Sequence, residues 1–117
     1  VPLSGAVIVT TPKDIALTEA RKTISMFKRL EIPVLGIIEN MSVFECPHCG
    51  EASPLFHPGN TSQEANQKDI PFLGQIPFVY ELSQACDTGE PFILKHPDHH
   101  ISKIFQNISH KILPKLI

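Results

Sequence analysis

The 117-residue chain has little of several features that would point to particular classes of protein. Its formal net charge is only −2, so it lacks the excess of lysine and arginine that binds nucleic acid or anionic membranes. No apolar run approaches the ~20 residues that a membrane-spanning helix requires. No basic segment followed by an apolar stretch opens the chain, so no secretory signal is expected. Three cysteines, an odd number, make a poor disulfide framework and suit a reducing compartment better.

Two catalytic signatures are missing as well. The chain contains no Gly-Lys-Ser or Gly-Lys-Thr, so it has no phosphate-binding loop of the P-loop type. No Ser/His/Asp order stands out as a nucleophilic triad.

The composition, 42% hydrophobic and 19% charged, is that of about one small domain with a core of its own. Because the chain opens on Val1-Pro2-Leu3-Ser4 without Met and almost directly enters an apolar run, we expect a piece of a longer protein.

The first 40 residues predict a strand, a helix and a second strand. Residues 5–10 form a short apolar run of the kind that is buried on both faces of a parallel sheet. Thr11 can cap the helix that follows, and Pro12 suits its first turn. The apolar positions recur at helical spacing up to about Leu30, namely Leu17, Ala20, Ile24 and Phe27. With residues 34–38 as the next strand, this is a βαβ unit with parallel strands and a right-handed connection.

The remaining pattern is less regular but continues the alternation of strands and helices. We predict a loop, a short helix, a short strand, one or two helical turns and an amphipathic closing helix that stops near Pro114; these occupy residues 41–60, 61–68, 71–77, 80–86 and 101–112. The fold class is therefore α/β, as half of a layered sheet.

The most chemically specific segment is Cys46-Pro47-His48-Cys49, followed by Gly50. Two thiols separated by two residues form either a metal-binding knuckle or a redox pair. Structural zinc sites and iron–sulfur clusters both need four ligands, so two cysteines must find partners elsewhere.

Four interpretations of this pair remain open. Further ligands can come from the same chain, with His57 as the third and a fourth drawn from Cys86, His96, His99 and His100. They can also come from a second copy related by a two-fold axis, which brings four thiolates together and which we favour. A thiol–disulfide oxidoreductase needs the first thiol at a helix N-terminus, and no helix is expected to open at Cys49. The pair can also be an inert knuckle that organises a loop, with or without zinc.

The other polar residues carry weaker signals. Asn40 follows a buried strand, and the carboxyl ends of strands are where open α/β sheets bind ligands, although an Asn that closes a turn explains it as well. Cys86 is expected to be a small core residue. Four histidines lie in polar, proline-rich surroundings and are expected to be solvated: His57, His96, His99 and His100.

The chain resembles the C-terminal half of the Mrp/Nbp35 family, P-loop ATPases of the larger MinD/ParA group that carry iron–sulfur clusters and include the bacterial ApbC-type carrier and a mitochondrial relative. The resemblance extends to about Phe92 and rests on four stretches: GAVIVTTPKDIAL from Gly5, VLGIIENMSVFECPHCG from Val34, FLGQIP from Phe72 and DTGEP from Asp87. It implies the C-terminal half of a mostly parallel, doubly wound sheet with a cysteine-bearing loop. Residues 1–117 would form a single partial domain, with the cysteine loop at 41–60.

The resemblance also implies a function. Members are homodimers that hold a 4Fe-4S cluster between two CxxC pairs and pass it to apo-proteins, so Cys46 and Cys49 would be the cluster ligands. Asn40 matches the position that reads the adenine edge of ATP, and Pro77 lies in the segment that lines the base. ATP and Mg would belong to the full-length family, and the compartment would be the bacterial cytoplasm or the mitochondrial matrix.

Departures from the family pattern limit these expectations. The Walker A loop and the Walker B aspartate are missing, so the chain alone is predicted neither to bind ATP tightly nor to hydrolyse it. Three local differences also appear. Residues 57–60 stand where the family has a Gly-rich stretch, residues 77–79 stand where it has Pro-Leu-Asp, and Ser83 stands where it has an Arg. Without the strands of the other half, the sheet should expose apolar edges.

Overall fold

The computed structural model describes residues 2–56 and 61–116 and shows helices packed on both faces of a mixed sheet. The strands are β1 (Ala6–Thr10), β2 (Val34–Glu45), β3 (Ala52–Ser53) and β4 (Phe72–Phe78). The helices are α1 (Asp14–Arg29), α2 (Thr61–Gln67), α3 (Tyr80–Thr88), α4 (Phe92–Lys95) and α5 (His100–Leu116). Strand β2 pairs in parallel with β1 and β4 and antiparallel with β3. The predicted α/β class and the parallel pairing across α1 are confirmed.

Strand β2 is apolar on both sides because each face of the sheet is covered. Ile37 packs on one face, in a cluster that includes Ile24 of α1 and Ala65 of α2. Its neighbour Ile38 packs on the opposite face with Ile108 of α5. Successive side chains of a strand point to opposite faces, so a continuous apolar run is what a doubly covered strand requires.

The helix predictions hold for the buried faces and fail at some ends. The predicted face of α1 is confirmed, since Leu17 and Ile24 are each 2% exposed. Its predicted start is wrong: the helix begins at Asp14 after an extended Lys13 that makes no side-chain cap. Thr11 is not the cap because Pro12, which is buried, and Lys13, which is exposed, lie between it and the first helical residue.

The C-terminal part of the chain contains two further corrections. Helix α5 continues two residues past Pro114, because a proline this close to the end removes only one backbone hydrogen bond. The four-residue helix α4 was not predicted, since so short an apolar segment has no recognisable periodicity. The predicted apolar face of α5 is confirmed, with Ile101 and Ile108 buried.

Strand β1 has the exposed apolar edge that the sequence predicts. Val9 is 60% exposed, and a groove of about 430 Å³ runs between β1 and α1. Of the helices within residues 2–56 and 61–116, none combines the length and the apolar character that crossing a bilayer demands.

Candidate metal centre and base pocket

The two cysteines of the motif lie in the turn of a β-hairpin, which we call the cysteine hairpin (residues 44–53). The sequence predicts a loop over residues 41–60, but β2 continues to Glu45, and its last two residues pair with β3. The N–H of Cys46 then donates to the carbonyl of Glu51 at 3.0 Å and closes the turn. The loop prediction is therefore wrong for residues 41–45 and 52–53. Backbone pairing with a two-residue strand leaves no periodic pattern in the sequence.

The turn is tight and carries both thiols. The N–H of Gly50 donates to the carbonyl of Cys46 at 2.8 Å. Gly50 has a φ of 75°, which a glycine adopts without steric cost. Cys46 is half-buried and Cys49 is exposed, and neither forms a disulfide.

The backbone of the turn tunes the first thiol. The N–H groups of Cys49 and His48 hydrogen-bond to the sulfur and lower the pKa of Cys46 below its usual range, and the Cys49 side chain adds a smaller effect in the same direction. Hydrogen bonds that stabilise the charged form favour the thiolate. A thiolate is both the ligand that soft metals prefer and the nucleophile of redox chemistry.

The additional ligands considered within the chain do not gather around this turn. Among residues 2–56 and 61–116, no three His, Cys, Asp or Glu side chains lie close enough together to hold a metal ion. His96, His99, His100 and Cys86 therefore do not complete a site with Cys46 and Cys49. His57, the proposed third ligand, lies outside the described residues. No helix begins at Cys49, as the sequence predicts.

A second feature, the base pocket, lies between the middle of β2 and the carboxyl end of β4. Asn40 lies within β2 and not, as the sequence predicted, after the strand, because β2 continues to Glu45. Asn40 and Pro77, which the resemblance pairs, line the same cavity of about 170 Å³. The N–H of Met41 donates to Asn40 Oδ1 at 2.9 Å, which fixes the orientation of the amide. Ligand pockets for drug-sized molecules span ~300–1,000 Å³, so this cavity suits a single ring system better than a whole nucleotide.

Sequence reasoning missed most of the other residues that line the base pocket. They are Met41, Phe78, Val79, Leu82, Ser83, Cys86 and Asp87. The prediction that Cys86 is a core residue is wrong, because it is exposed on the face of α3 that borders the cavity. The available signal was that α3 follows directly on the carboxyl end of β4, where α/β sheets bind ligands.

The histidines near the start of α5 are not simply solvated, as the sequence suggested. His96 and His99 are half-buried against Phe92, with ring centroids 4.9 and 5.1 Å away. His100 is exposed, but its Nε2 lies 2.9 Å from Oε2 of Glu45, the residue before Cys46. The sequence gives no signal for this contact, because its two residues are 55 positions apart.

Comparison with known proteins matches this arrangement to one family. The profile of the ParA family described as the NUBPL iron-transfer P-loop NTPase matches residues 1–113. The chain is 40% identical over 116 residues to the iron–sulfur cluster transfer protein NUBPL of Dictyostelium discoideum, covering 99% of this chain and 36% of that protein. It is 42% identical over 117 residues to an iron–sulfur cluster carrier protein of Aquifex aeolicus, covering 100% of this chain and 32% of that protein. The chain thus spans about a third of the length of these relatives.

Solved structures agree on the fold. A nucleotide-binding protein of Archaeoglobus fulgidus in complex with ADP is 41% identical, with a TM-score of 0.62, over 74% of this chain and 35% of that chain. The cell division ATPase MinD of Pyrococcus furiosus is 20% identical, with a TM-score of 0.69, over 95% of this chain and 43% of that one. The predicted MinD/ParA-type architecture is therefore confirmed. On these matches, the chain belongs to the ParA family of NUBPL-type iron-transfer P-loop NTPases.

Proposed function

We propose that this chain supplies the thiols with which an iron–sulfur cluster carrier holds its cargo and from which the cluster passes to apo-proteins. The observation that carries the proposal is the pair Cys46 and Cys49 in one exposed hairpin turn, with backbone N–H groups directed at the first sulfur. Hydrogen bonds to cysteine sulfur are among the features by which proteins tune iron–sulfur clusters. The names of the relatives, cluster carrier and cluster transfer proteins, support the same reading.

We propose that the cluster is of the 4Fe-4S type and is shared by two copies of the chain. A 4Fe-4S cluster takes four thiolates, and this chain offers two in the turn. The turn projects from the sheet with residues 47–52 exposed, so two hairpins can approach each other without unfolding. A two-fold axis beside the turn would complete the ligand set with identical residues from each copy.

We also propose that the base pocket receives the adenine of ATP in the whole protein. The Asn40 amide would meet the polar edge of the base, and the ring of Pro77 would pack on its face. This assignment fits the small cavity and the ADP complex of the similar archaeal protein. The sequence has no phosphate-binding loop, so the phosphates and their Mg²⁺ need residues that this chain does not supply, and we predict neither tight ATP binding nor hydrolysis by the chain alone.

The groove along β1 supports a related proposal about the domain. We propose that residues 1–117 form one partial domain whose sheet continues at β1, where Val9 is exposed. An exposed apolar edge strand is a site for pairing with a further strand.

The compartment, bacterial cytoplasm or mitochondrial matrix, stays a prediction; the relatives include a bacterial carrier of Escherichia coli and a mitochondrial protein of Arabidopsis thaliana.

Anaerobic reconstitution with iron and sulfide tests the cluster proposal. We expect a brown dimer with about four irons per two chains. The cluster should be lost in Cys46→Ala and in Cys49→Ala. It should be retained in Cys86→Ala, the matched control, which removes the one cysteine outside the hairpin. Iron content, absorption spectrum and molecular mass are measured on the same samples. A colourless monomer that holds zinc through Cys46 and Cys49 would instead identify a structural knuckle.

A further inference from the structure

Glu45 stands where the cysteine hairpin leaves the sheet. It is the last residue of β2, it pairs with Ala52 of β3, and Cys46 follows it directly. Its side chain is 20% exposed, whereas residues 47–52 beyond it are exposed. The direction of the hairpin relative to the sheet is therefore set at this residue and at Phe44 before it.

The contact that holds the Glu45 carboxylate comes from a distant part of the chain. His100 Nε2 lies 2.9 Å from Glu45 Oε2, and His100 is the first residue of α5. Helix α5 packs on β4 through a cluster that contains Ile76 and Ile108. The pair thus connects the base of the cysteine hairpin to the body of the domain.

His100 is itself held in place by its neighbours. Its ring stacks on that of His99, with centroids 4.5 Å apart and planes inclined by 21°. His99 accepts the N–H of Ile101 at Nδ1, at 3.1 Å, and so caps the start of α5. The His99 ring also meets Phe92 edge-on, and Phe92 is 5% exposed and packs in a core cluster with Ile101. The imidazole that reaches Glu45 is therefore supported by the core.

We propose that His100 is a positioning residue for the thiols: by holding Glu45 it fixes the cysteine hairpin against the sheet and slows the opening of the Cys46–Cys49 turn. The part that concerns the hairpin stands on the contacts above. The consequence for the cargo, slower release of iron, rests on the proposed function.

Amide hydrogen exchange tests the hairpin part without any metal. The Cys46 and Gly50 amides report on the turn, because both donate to carbonyls within it. The Ile37 amide, which donates to the Pro71 carbonyl at 2.9 Å, reports on the centre of the sheet. In His100→Ala we expect exchange at Cys46 and Gly50 to rise about two- to fivefold, the range for loss of one half-exposed polar contact between side chains, with Ile37 unchanged.

Two matched variants separate positioning from general damage. His100→Gln keeps an N–H donor at similar reach and should restore most of the protection. His110→Ala removes an exposed histidine from the same helix and should change nothing. In a Glu45→Ala background, His100→Ala should add no further acceleration, which gives the test a second route if one variant folds poorly. Unchanged exchange at Cys46 and Gly50, or equal acceleration at Ile37, would overturn the proposal.

The consequence for iron release is measured in a separate experiment. After reconstitution, the rate at which a ferrous chelator removes iron should rise in His100→Ala by a factor similar to the exchange rate and should return toward wild type in His100→Gln. Chelation at the wild-type rate in His100→Ala would overturn this part. If the wild-type chain takes up no iron, the proposed function fails, while the exchange experiment still decides whether His100 positions the hairpin.

Discussion

The sheet frame (β1, α1, residues 34–40 of β2, and β4) and the cysteine hairpin share one strand but are held by different forces. In the frame, Ile37 and Leu73 are 2% and 1% exposed, so stability comes from apolar packing on both faces of the sheet. In the hairpin, Cys49 is exposed and Cys46 half-buried, and order comes from backbone hydrogen bonds at Cys46 and Gly50. Mutations in the frame should therefore change stability, and mutations in the hairpin should change chemistry.

The largest effect is expected where the frame is most tightly packed. Leu73→Ala should lower the free energy of unfolding by about 2–5 kcal/mol, because it leaves a cavity between the sheet and α5. Denaturant unfolding measures it, and Leu55→Ala serves as the control, since Leu55 is 42% exposed beyond the hairpin and its loss should cost less than about 0.5 kcal/mol. Similar losses for the two variants would contradict the division into frame and hairpin.

A smaller effect is expected at a close approach within the frame. A Cβ on Gly36 would lie 2.4 Å from Cγ of Leu73, so Gly36→Ala should cost about 1–3 kcal/mol by overpacking. The same substitution in the Leu73→Ala background should cost clearly less, because the clashing atoms are gone. Additive losses in the double variant would show that the strain at Gly36 has another source.

Acid should lower the stability of the fold through His99, which caps the start of α5. Burial, and next the charge of His100, lower the pKa of His99 below its ordinary value of 6.5. The unfolded chain therefore binds this proton more readily than the folded one, so stability present above pH 6.5 is lost as the pH falls through the folded pKa. Protonation would also remove the Nδ1 acceptor that caps α5.

Unfolding midpoints across this pH range measure the linkage. In His99→Asn, the side chain can still cap the helix but does not titrate. The slope of the free energy of unfolding against pH should therefore decrease, by at most the amount that corresponds to uptake of one proton on unfolding. His110→Ala is the control for removing an exposed histidine from the same helix. An unchanged slope in His99→Asn would rule His99 out as the source.

The smallest effect on stability is expected at the thiols themselves. Cys49→Ser should change the free energy of unfolding, measured by denaturant unfolding, by no more than about 0.5 kcal/mol, because Cys49 is exposed. A larger loss would show that this thiol contributes to the packing of the turn.

The two thiols Cys46 and Cys86 should differ in reactivity. In the wild type, iodoacetamide should alkylate Cys46 faster than Cys86 at neutral pH, because the turn lowers the pKa of Cys46. Peptide mapping after brief labelling distinguishes the sites. Faster labelling of Cys86 would mean that the turn does not favour the thiolate.

Local patterns explain which parts of the fold the sequence predicts. The strand–helix–strand unit follows from apolar runs and helical spacing, and the structure confirms its buried residues. The extension of β2 and the two-residue β3 were missed, because pairing across a turn depends on backbone geometry and not on side-chain period. The contact of Glu45 with His100 was missed because it joins distant segments through the packing of α5.

Some residues of the candidate site are likewise predictable from local sequence, and others are not. The Cys46–Cys49 spacing predicts a knuckle without any structure, because two intervening residues keep the two thiols close together. The rule that ligands bind at the carboxyl ends of strands singled out Asn40, whereas Pro77, which lines the same cavity, was expected only from the family resemblance. The position of Cys86 at that cavity depends on which face of α3 meets the sheet, and its flanking residues do not specify this.

Asn40 of the base pocket lies within β2, and Cys46 of the hairpin follows the end of that strand, only six positions later. Between them, Met41 has a φ of 54° and the register of β2 with β4 shifts, so the regular alternation of side chains is interrupted. The bulged segment between the two sites therefore sets both their separation and their relative orientation. For protein engineering, this makes the segment from Met41 to Phe44 the place where a change in length would redirect the thiols.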